Sequence, residues 1–406
     1  AYCFAEVEGF SNFGSYVGTG AAGNTVVTGF EPAFLLVKQT NGTGAWFIMD
    51  NKRSPKNPKQ LLLQPASSAA EENVGNAINF LENGFEILDT NASRNATGGE
   101  YIYMAFAADP NTQVPTKADS FNTVIFTDNG TETTQEITGV GFQPDLIWTK
   151  ARFSDQRYYI FDSIRGGNDY LSSNDTYGDQ NRTFSLEGIA DGIRKIGNIW
   201  SRTQTDGIVA WAWKAGGTPS INTDGSITSV VSANKASGFS IVSYTGNSII
   251  GSTIGHGLDS APDVVIYKGR ESGLPQYYSN WGVYHSALGA TQRLWLQTTG
   301  AAVTASGGDW INNTEPTDSV FTVGEYYTNW TGRNFIAYCF AEVAGFSKFG
   351  SYTGTGASQT IVTGFEPAFV MIKRATGGSL NGWVLSDNKG GAGINVFANT
   401  SGSEGY

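Results

Sequence analysis

The chain has few charged side chains, and basic ones are the scarcer sign. Lys and Arg number 25 against 36 Asp and Glu, charged residues make up 15% of the chain, and the formal net charge is −11. A phosphate backbone must be met by Lys and Arg to release its counterions, so nucleic acid and anionic membrane surfaces are poor candidate partners. No run of 18 apolar residues is present, which argues against membrane insertion.

Cysteine is almost absent, and the two that exist are explained by repetition. Cys3 and Cys339 occupy the same position in two copies of one predicted strand, and related strands carry Ala105 and Ala212 there. A position that alternates between Ala and Cys predicts small apolar filler in a core rather than a disulfide.

Patterns that carry catalysis or metal binding are also scarce. His256 and His285 have neither a cysteine nor a second histidine at zinc-ligand spacing, and no Gly-x-Ser-x-Gly elbow accompanies them. We therefore predict no enzyme, no catalytic residue, no metal site and no cofactor. Acidic turns at 128–132 and 173–179 leave calcium as the alternative, although Asn, Asp and Gly are also ordinary turn residues.

What the chain has in abundance is repetition. Residues 1–7, 9–16 and 28–34 return, lightly edited, at 337–343, 345–352 and 363–369. The period of about 336 residues predicts a segment of a longer modular array, which favours an extended structural or adhesive protein over a single-site enzyme.

Three strand patterns recur within this period. A turn followed by an apolar run ending in lysine predicts a strand buried on both faces, with its lysine at the sheet edge. The lysines are Lys38, Lys150, Lys268 and Lys373. A closing strand alternates small and aromatic residues at 101–107, 208–213 and 335–340. An opening strand at 13–16, 124–126 and 241–244 runs into a Gly/Asn-rich turn, which indicates a hairpin.

These patterns predict an all-β fold of tandem antiparallel β-sandwich modules, jelly-roll or concanavalin-like, of about 100–110 residues each. Only residues 69–77 suggest a turn or two of helix. Residues 1–7 are read as the last strand of a preceding module. Modules follow at 8–109, 118–217 and 238–343, separated by linkers at 109–117 and 216–236, and 344–406 is a truncated copy of the first module.

Aspartates recur directly after the lysine strand and its partner. Asp50 and Asp162 each precede an arginine by three residues, and Asp387 precedes Asn388-Lys389. An active site has no need to be copied into every module, so we interpret the motif as a structural turn with a local ion pair. A glycosidase would need two carboxylates about 5–10 Å apart in a cleft, and no spacing rule identifies such a pair here.

Aromatic residues are concentrated in loops of the third module, beside Asn, Asp and Arg. A flat apolar ring flanked by hydrogen-bonding groups suits neutral sugars, although sandwiches also bury tryptophans at strand ends. The candidate carbohydrate-binding residues are Tyr278, Trp281, Trp310, Tyr327, Trp330 and Arg333.

Four further strings lie at residues 137–145, 211–217, 337–354 and 363–373. They resemble the repeated β domains of tail-fibre and other appendage proteins of marine bacteriophages, and the resemblance extends over nearly the whole chain. It implies a non-enzymatic virion structural protein, located on the virion and outside cells. Other virion proteins and a host-surface polysaccharide or receptor would be its partners.

Two other functions fit the sequence. A capsid decoration or filament-forming protein would use the same repeats, and a polysaccharide depolymerase would need a carboxylate pair in one module. Phage fibres are often trimers, so a homotrimer is expected by analogy, with side-to-side contacts between sandwiches, although no heptads enforce it. We also expect the modules to unfold independently across the 216–236 linker.

Overall fold

The computed structural model contains two compact units, residues 1–113 and 114–406. It describes residues 3–7, 10–54, 56–81, 83–107, 120–128, 134–181, 183–199, 207–271, 279–377, 382–390 and 395–404. The predicted linker at 109–117 lies outside the described residues.

The first unit is a single antiparallel sandwich of two four-stranded sheets. One sheet has the order β1-β8-β3-β4 and the other the order β2-β7-β6-β5. The strands are β1 Ser11–Val17, β2 Asn24–Val27, β3 Pro32–Gln39, β4 Phe47–Asp50, β5 Lys59–Leu62, β6 Glu72–Leu81, β7 Gly84–Ile87 and β8 Glu100–Ala107. One short helix, α1 Ala92–Asn95, precedes β8. Residues 69–77, the predicted helical stretch, instead lead into and form part of β6.

The inner faces of these two sheets form the core of the first unit. Leu35, Phe47 and Tyr101 are fully buried there, and the Tyr16 and Tyr101 rings stack with their centroids 4.9 Å apart. Because successive residues of a strand point to opposite faces, the alternate residues of β3 and β8 face away from this core.

The hairpin predicted at the opening strand is wrong. β1 pairs with β8, and β2 pairs with β7 in the opposite sheet. The Gly-rich turn carries the chain across the sandwich, and a Cβ atom at Gly18 would lie 2.2 Å from the carbonyl oxygen of Ala96. Glycine is needed at this position because two backbone segments approach closely there.

The second unit opens with a module of the same design. Its main sheet has the order β9-β17-β11-β12, and β10-β16-β15 lies in a second sheet. The strands are β9 Phe121–Phe126, β10 Gln135–Thr138, β11 Leu146–Ala151, β12 Tyr159–Asp162, β13 Asp169–Tyr170, β14 Gln180–Asn181, β15 Ser185–Ile189, β16 Gly192–Ile196 and β17 Ile208–Trp213. We refer to β9–β17 as the second module.

The third module repeats this sheet with additional strands on both sides. Its main sheet has the order β18-β19-β20-β27-β22-β23-β24-β25, and β21 pairs with β26 in the other sheet. The strands are β18 Ser220–Asn222, β19 Ser229–Asn234, β20 Phe239–Thr245, β21 Thr253–Gly255, β22 Val264–Gly269, β23 Trp281–His285, β24 Gln292–Trp295, β25 Val303–Thr304, β26 Val320–Thr322 and β27 Asn334–Phe340. The linker predicted at 216–236 is wrong, since β18 and β19 belong to this sheet.

The remainder of the second unit, residues 344–404, is here called the fourth segment. It contains a three-stranded sheet of β28 Phe369–Ile372, β29 Val384–Asp387 and β30 Val396–Phe397. Residues 350–363, which align with β1 and β2, form no strand and are almost entirely exposed. The prediction of an all-β fold of antiparallel sandwich modules is confirmed.

The position shared by the two cysteines is buried in every closing strand. Ala105, Ala212 and Cys339 are fully buried and pair with Leu35, Ile147 and Val265 of the lysine strands. The prediction of small core filler is confirmed for Cys339, whereas Cys3 is exposed in a stretch with no strand.

Candidate functional site

Each main sheet has an outer face, which points away from the second sheet of its own module. Strand register makes the outer positions equivalent between modules. Trp211 pairs with Trp148 as Met104 pairs with Leu36. By the same register, Tyr338 pairs with Ile266 in the third module.

In the second unit these outer faces are buried against one another. The second module, the third module and the fourth segment contribute to one apolar cluster, here called the shared core. Its buried members include Leu146, Trp148, Ile160, Val209, Trp211, Ile241, Ile266, Trp281, Val283, Ile336, Tyr338, Trp383, Leu385 and Val396. Every residue of β11 is therefore buried, with one face in its own sandwich and the other in the shared core.

Two hydrogen bonds across the shared core use the same pair of positions. The Tyr338 hydroxyl of the third module donates to Oδ2 of Asp162 in the second module at 2.7 Å. The Trp211 Nε1 of the second module donates to Oδ2 of Asp387 in the fourth segment at 3.0 Å. An aromatic donor on a closing strand thus meets the turn aspartate of a neighbour in both cases.

A second pair of equivalent contacts completes a cycle. Nε1 of Trp281 donates to the carbonyl oxygen of Ser172 at 2.8 Å, which joins the third module to the second. Nε1 of Trp383 donates to the carbonyl oxygen of Trp295 at 3.0 Å, which joins the fourth segment to the third module. Together with the Trp211 bond, these contacts form a closed cycle. The third module donates to the second module, the second module to the fourth segment, and the fourth segment to the third module.

The turn aspartates also hold the local ion pairs predicted from the sequence. Nε of Arg165 lies 2.6 Å from Oδ2 of Asp162, with both side chains fully buried, and Arg53 and Asp50 repeat this contact at 2.6 Å. The structural interpretation of the motif is confirmed. Burial opposes the charge of Arg165, but the Asp162 carboxylate and its neighbours raise the pKa of Arg165 above its ordinary value.

The charge cluster continues across the boundary between the second and third modules. Asp179 of the second module accepts from Arg165 at 3.3 Å and from Arg270 of the third module at 2.7 Å. Because one carboxylate serves cations from two modules, this ion pair network also fixes their relative position.

The predicted edge role is wrong for Lys38, Lys150 and Lys268, whereas Lys373 follows β28, the edge strand of its described sheet. β3, β11 and β22 are flanked by strands on both sides, and Lys150 and Lys268 are fully buried. Nζ of Lys268 donates to the carbonyl oxygens of Ser279 at 2.5 Å and of Thr176, in the second module, at 3.1 Å. Burial lowers the pKa of Lys268 to about 7 and that of Lys150 to about 8.

An apolar cavity of about 600 Å³ lies beside the shared core. Side chains from both modules and from the fourth segment line it, among them Phe121, Trp213, Phe239, Phe340 and Phe369. The cavity therefore lies where the outer faces of three bodies converge.

Two of the six candidate carbohydrate-binding residues are displaced from that role. Trp281 lies in the shared core and Trp310 in the inner core of the third module, and both are fully buried. Their rings have no face open to a sugar, because strand packing on the two sides of the sheet takes up that surface. Tyr278 lies outside the described residues.

The remaining candidates are partly exposed and sit under guanidinium groups. Arg333 lies 5.6 Å from the centroid of the Trp330 ring, and Arg293 lies 4.4 Å from that of Tyr327 and 5.0 Å from that of Trp295. Sequence reasoning missed Arg293 and Trp295, although their spacing of two on β24 places them on one face.

In both acidic loops considered for calcium, a described aspartate pairs with a protein cation, while residues 129–132 lie outside the described residues. Asp128 pairs with Lys195 at 2.7 Å with both side chains buried, and Asp175 pairs with Arg157 at 3.2 Å. Over the described residues, no group of three or more His, Cys, Asp or Glu side chains is placed to hold a metal ion. Calcium binding stays a prediction without a defined ligand set.

No curated protein and no solved structure matches the chain significantly. Within the described part of the chain, none of the helices has the length and apolar character needed to cross a membrane. A family model matches residues 1–110 and 116–404, and these two segments nearly coincide with the two compact units. The chain belongs to this family, which is described as a domain of unknown function (DUF7483).

Proposed function

We propose that this chain is a non-enzymatic structural segment of an extended appendage, of the kind found in bacteriophage tail fibres. Its location would be the virion, outside cells, and its neighbours other virion proteins. The observation that supports this role most strongly is the closed cycle of hydrogen bonds around the shared core.

The packing around the shared core suits a structural segment for a physical reason. In the second unit, the second module, the third module and the fourth segment each place an apolar sheet face into a common core, so these neighbours are held by burial rather than by a flexible tether. A repeated docking position, rather than one specialised cleft, is what a modular array needs to extend. Capsid decoration or filament formation would use the same packing.

The alternative of a depolymerase finds less support. The turn aspartates that recur between modules are engaged by structural partners, since Asp162 holds Arg165 and Tyr338, and Asp387 accepts from Trp211. A glycosidase needs two carboxylates facing an open cleft, which these residues do not provide.

Recognition of a host-surface polysaccharide or receptor is the second part of the proposal. Its candidate contacts are the partly exposed Tyr327, Trp330 and Arg333. Glycan-array binding by the full chain, compared with Tyr327→Ala and Trp330→Ala variants, tests this part. Equal binding by all three proteins would remove these residues as the sugar site.

The structural role is tested by immunogold electron microscopy with antibodies raised against the full chain. Labelling along fibres or other projections of virus particles is the expected result. Labelling confined to the interior of infected cells, with unlabelled particles, would contradict the proposal.

A further inference from the structure

The outer face of the first unit differs in burial from its equivalents in the second unit. Phe34, Leu36 and Phe106 are only partly buried, and Ile102 on the central strand β8 is 43% exposed. The equivalent residues of the second and third modules lie in or against the shared core. An apolar sheet face of this kind marks an interaction surface.

The first unit also carries the groups with which the fourth segment docks. Residues 46–52 align with 383–389, which places Trp46 at the position of Trp383 and Asp50 at that of Asp387. In the fourth segment these two side chains form hydrogen bonds to the third and second modules respectively. Trp46 is 37% exposed and thus available for the same contact.

The apolar contacts are matched as well. Phe34, Leu36 and Ile48 take the positions of Phe369, Met371 and Leu385, as the pairing of β3 with β4 and of β28 with β29 shows. The first unit therefore presents the determinants that hold the fourth segment between the second and third modules.

β8 supplies Phe106 to the outer face of the first unit, and the equivalent closing-strand residues Trp213 and Phe340 both line the cavity beside the shared core. The first unit in this position would therefore bring a third aromatic side chain of a closing strand to the cavity.

We propose that the outer face of the first unit docks onto a second copy of this chain. It takes the position between the second and third modules that the fourth segment otherwise holds. This inference rests on the proposed role of outer faces as packing surfaces. Because the two contacting surfaces differ, the contact is heterologous, and each added copy offers a further docking position, as a fibre requires.

The first experiment measures self-association of the full chain by sedimentation velocity over a range of concentrations. The docking variant is Ile102→Lys with Met104→Lys, whose side chains leave the inner core intact. Its matched control is Thr25→Lys with Val27→Lys, on exposed positions of β2. We expect concentration-dependent association that the docking variant weakens at least tenfold and the control leaves unchanged. A wild-type chain that stays monomeric up to about 100 μM, or an equally associating docking variant, would overturn the proposal.

The second experiment identifies the occupant. An immobilised docking variant keeps the position between its second and third modules, which an incoming first unit takes from the fourth segment, so it should capture wild-type chains from solution. If copies instead associate by pairing the outer faces of two first units, the immobilised docking variant captures no wild-type chain. That result would refute the heterologous contact. Unchanged far-ultraviolet circular dichroism and melting establish that the variant is folded. A monomeric chain found on virion projections refutes only the docking. Association without such labelling refutes only the appendage role.

Discussion

Tyr338 donates its phenolic hydrogen to Asp162 across 176 residues of sequence, at 2.7 Å and out of contact with water. The same carboxylate holds Arg165 in a buried ion pair. The Asp162 side chain thus takes part in both the local turn motif and a contact between modules. This double role explains how a short repeated motif can set the packing of whole modules.

Removing the Tyr338 hydroxyl should destabilise the second unit. In Tyr338→Phe, the buried Asp162 carboxylate loses one donor, and we expect a loss of about 1–3 kcal/mol in the free energy of unfolding. Urea denaturation followed by tryptophan fluorescence measures this. The control is Met104→Leu at the equivalent position of the first unit, which should leave the second unit unaffected. Equal stability of Tyr338→Phe and wild type would show that the bond contributes nothing.

Lys268 should make the stability of the second unit depend on pH. Its pKa is about 7 in the folded chain, against roughly 10.4 in an unfolded chain. Between these values the unfolded chain binds more protons, so stability relative to Lys268→Met rises with pH. This contribution is complete above about pH 10.4 and is lost as the pH falls towards 7.

Denaturation of wild type, Lys268→Met and the exposed control Lys235→Met at pH 7, 8 and 9 measures this difference. The slope should not exceed about 1.4 kcal/mol per pH unit. Parallel pH profiles for wild type and Lys268→Met would contradict a lowered pKa of Lys268 in the folded chain.

Two glycines in matching sequence contexts should respond differently to alanine. Gly18→Ala places a Cβ atom 2.2 Å from the Ala96 carbonyl oxygen, whereas nothing lies within 4 Å of the corresponding atom at Gly354. We expect Gly18→Ala to destabilise the first unit by about 2 kcal/mol or more, since two backbone segments must separate. Gly354→Ala should change stability by less than about 0.5 kcal/mol. Thermal melting of the two variants tests the pair, and similar losses for both would count against the described crossing at Gly18.

Much of the fold could be predicted from the sequence, because strands and turns are local. The closing strands and the aspartate turn of Asp162 and Arg165 follow from alternation and from recurrence. The partner of a strand is a non-local property, so the Gly-rich turn after β1 has the local pattern of a hairpin although β1 and β2 lie in different sheets. The burial of Lys268 depends on a neighbouring module and leaves no mark in its own strand.

The shared core did leave a partial signal. Trp148 and Trp211 lie on the outer face of the second module, where an exposed sheet face would carry polar residues. Sequence alone does not reveal which surface covers such a face. The same limit applies to Trp281, because the local sequence does not distinguish an aromatic ring exposed to a sugar from one buried between modules.

Hydrogen exchange of a Trp211→Ala variant, followed by mass spectrometry, tests the shared core most directly. Loss of this buried ring should cost about 3–5 kcal/mol. The account predicts reduced protection in β17 together with β27 of the third module and β29 of the fourth segment, while β8 is unchanged and Met104→Ala has no effect on the second unit. Loss of protection confined to β9–β17 would contradict a core shared by three bodies and would restore the independent modules expected from sequence.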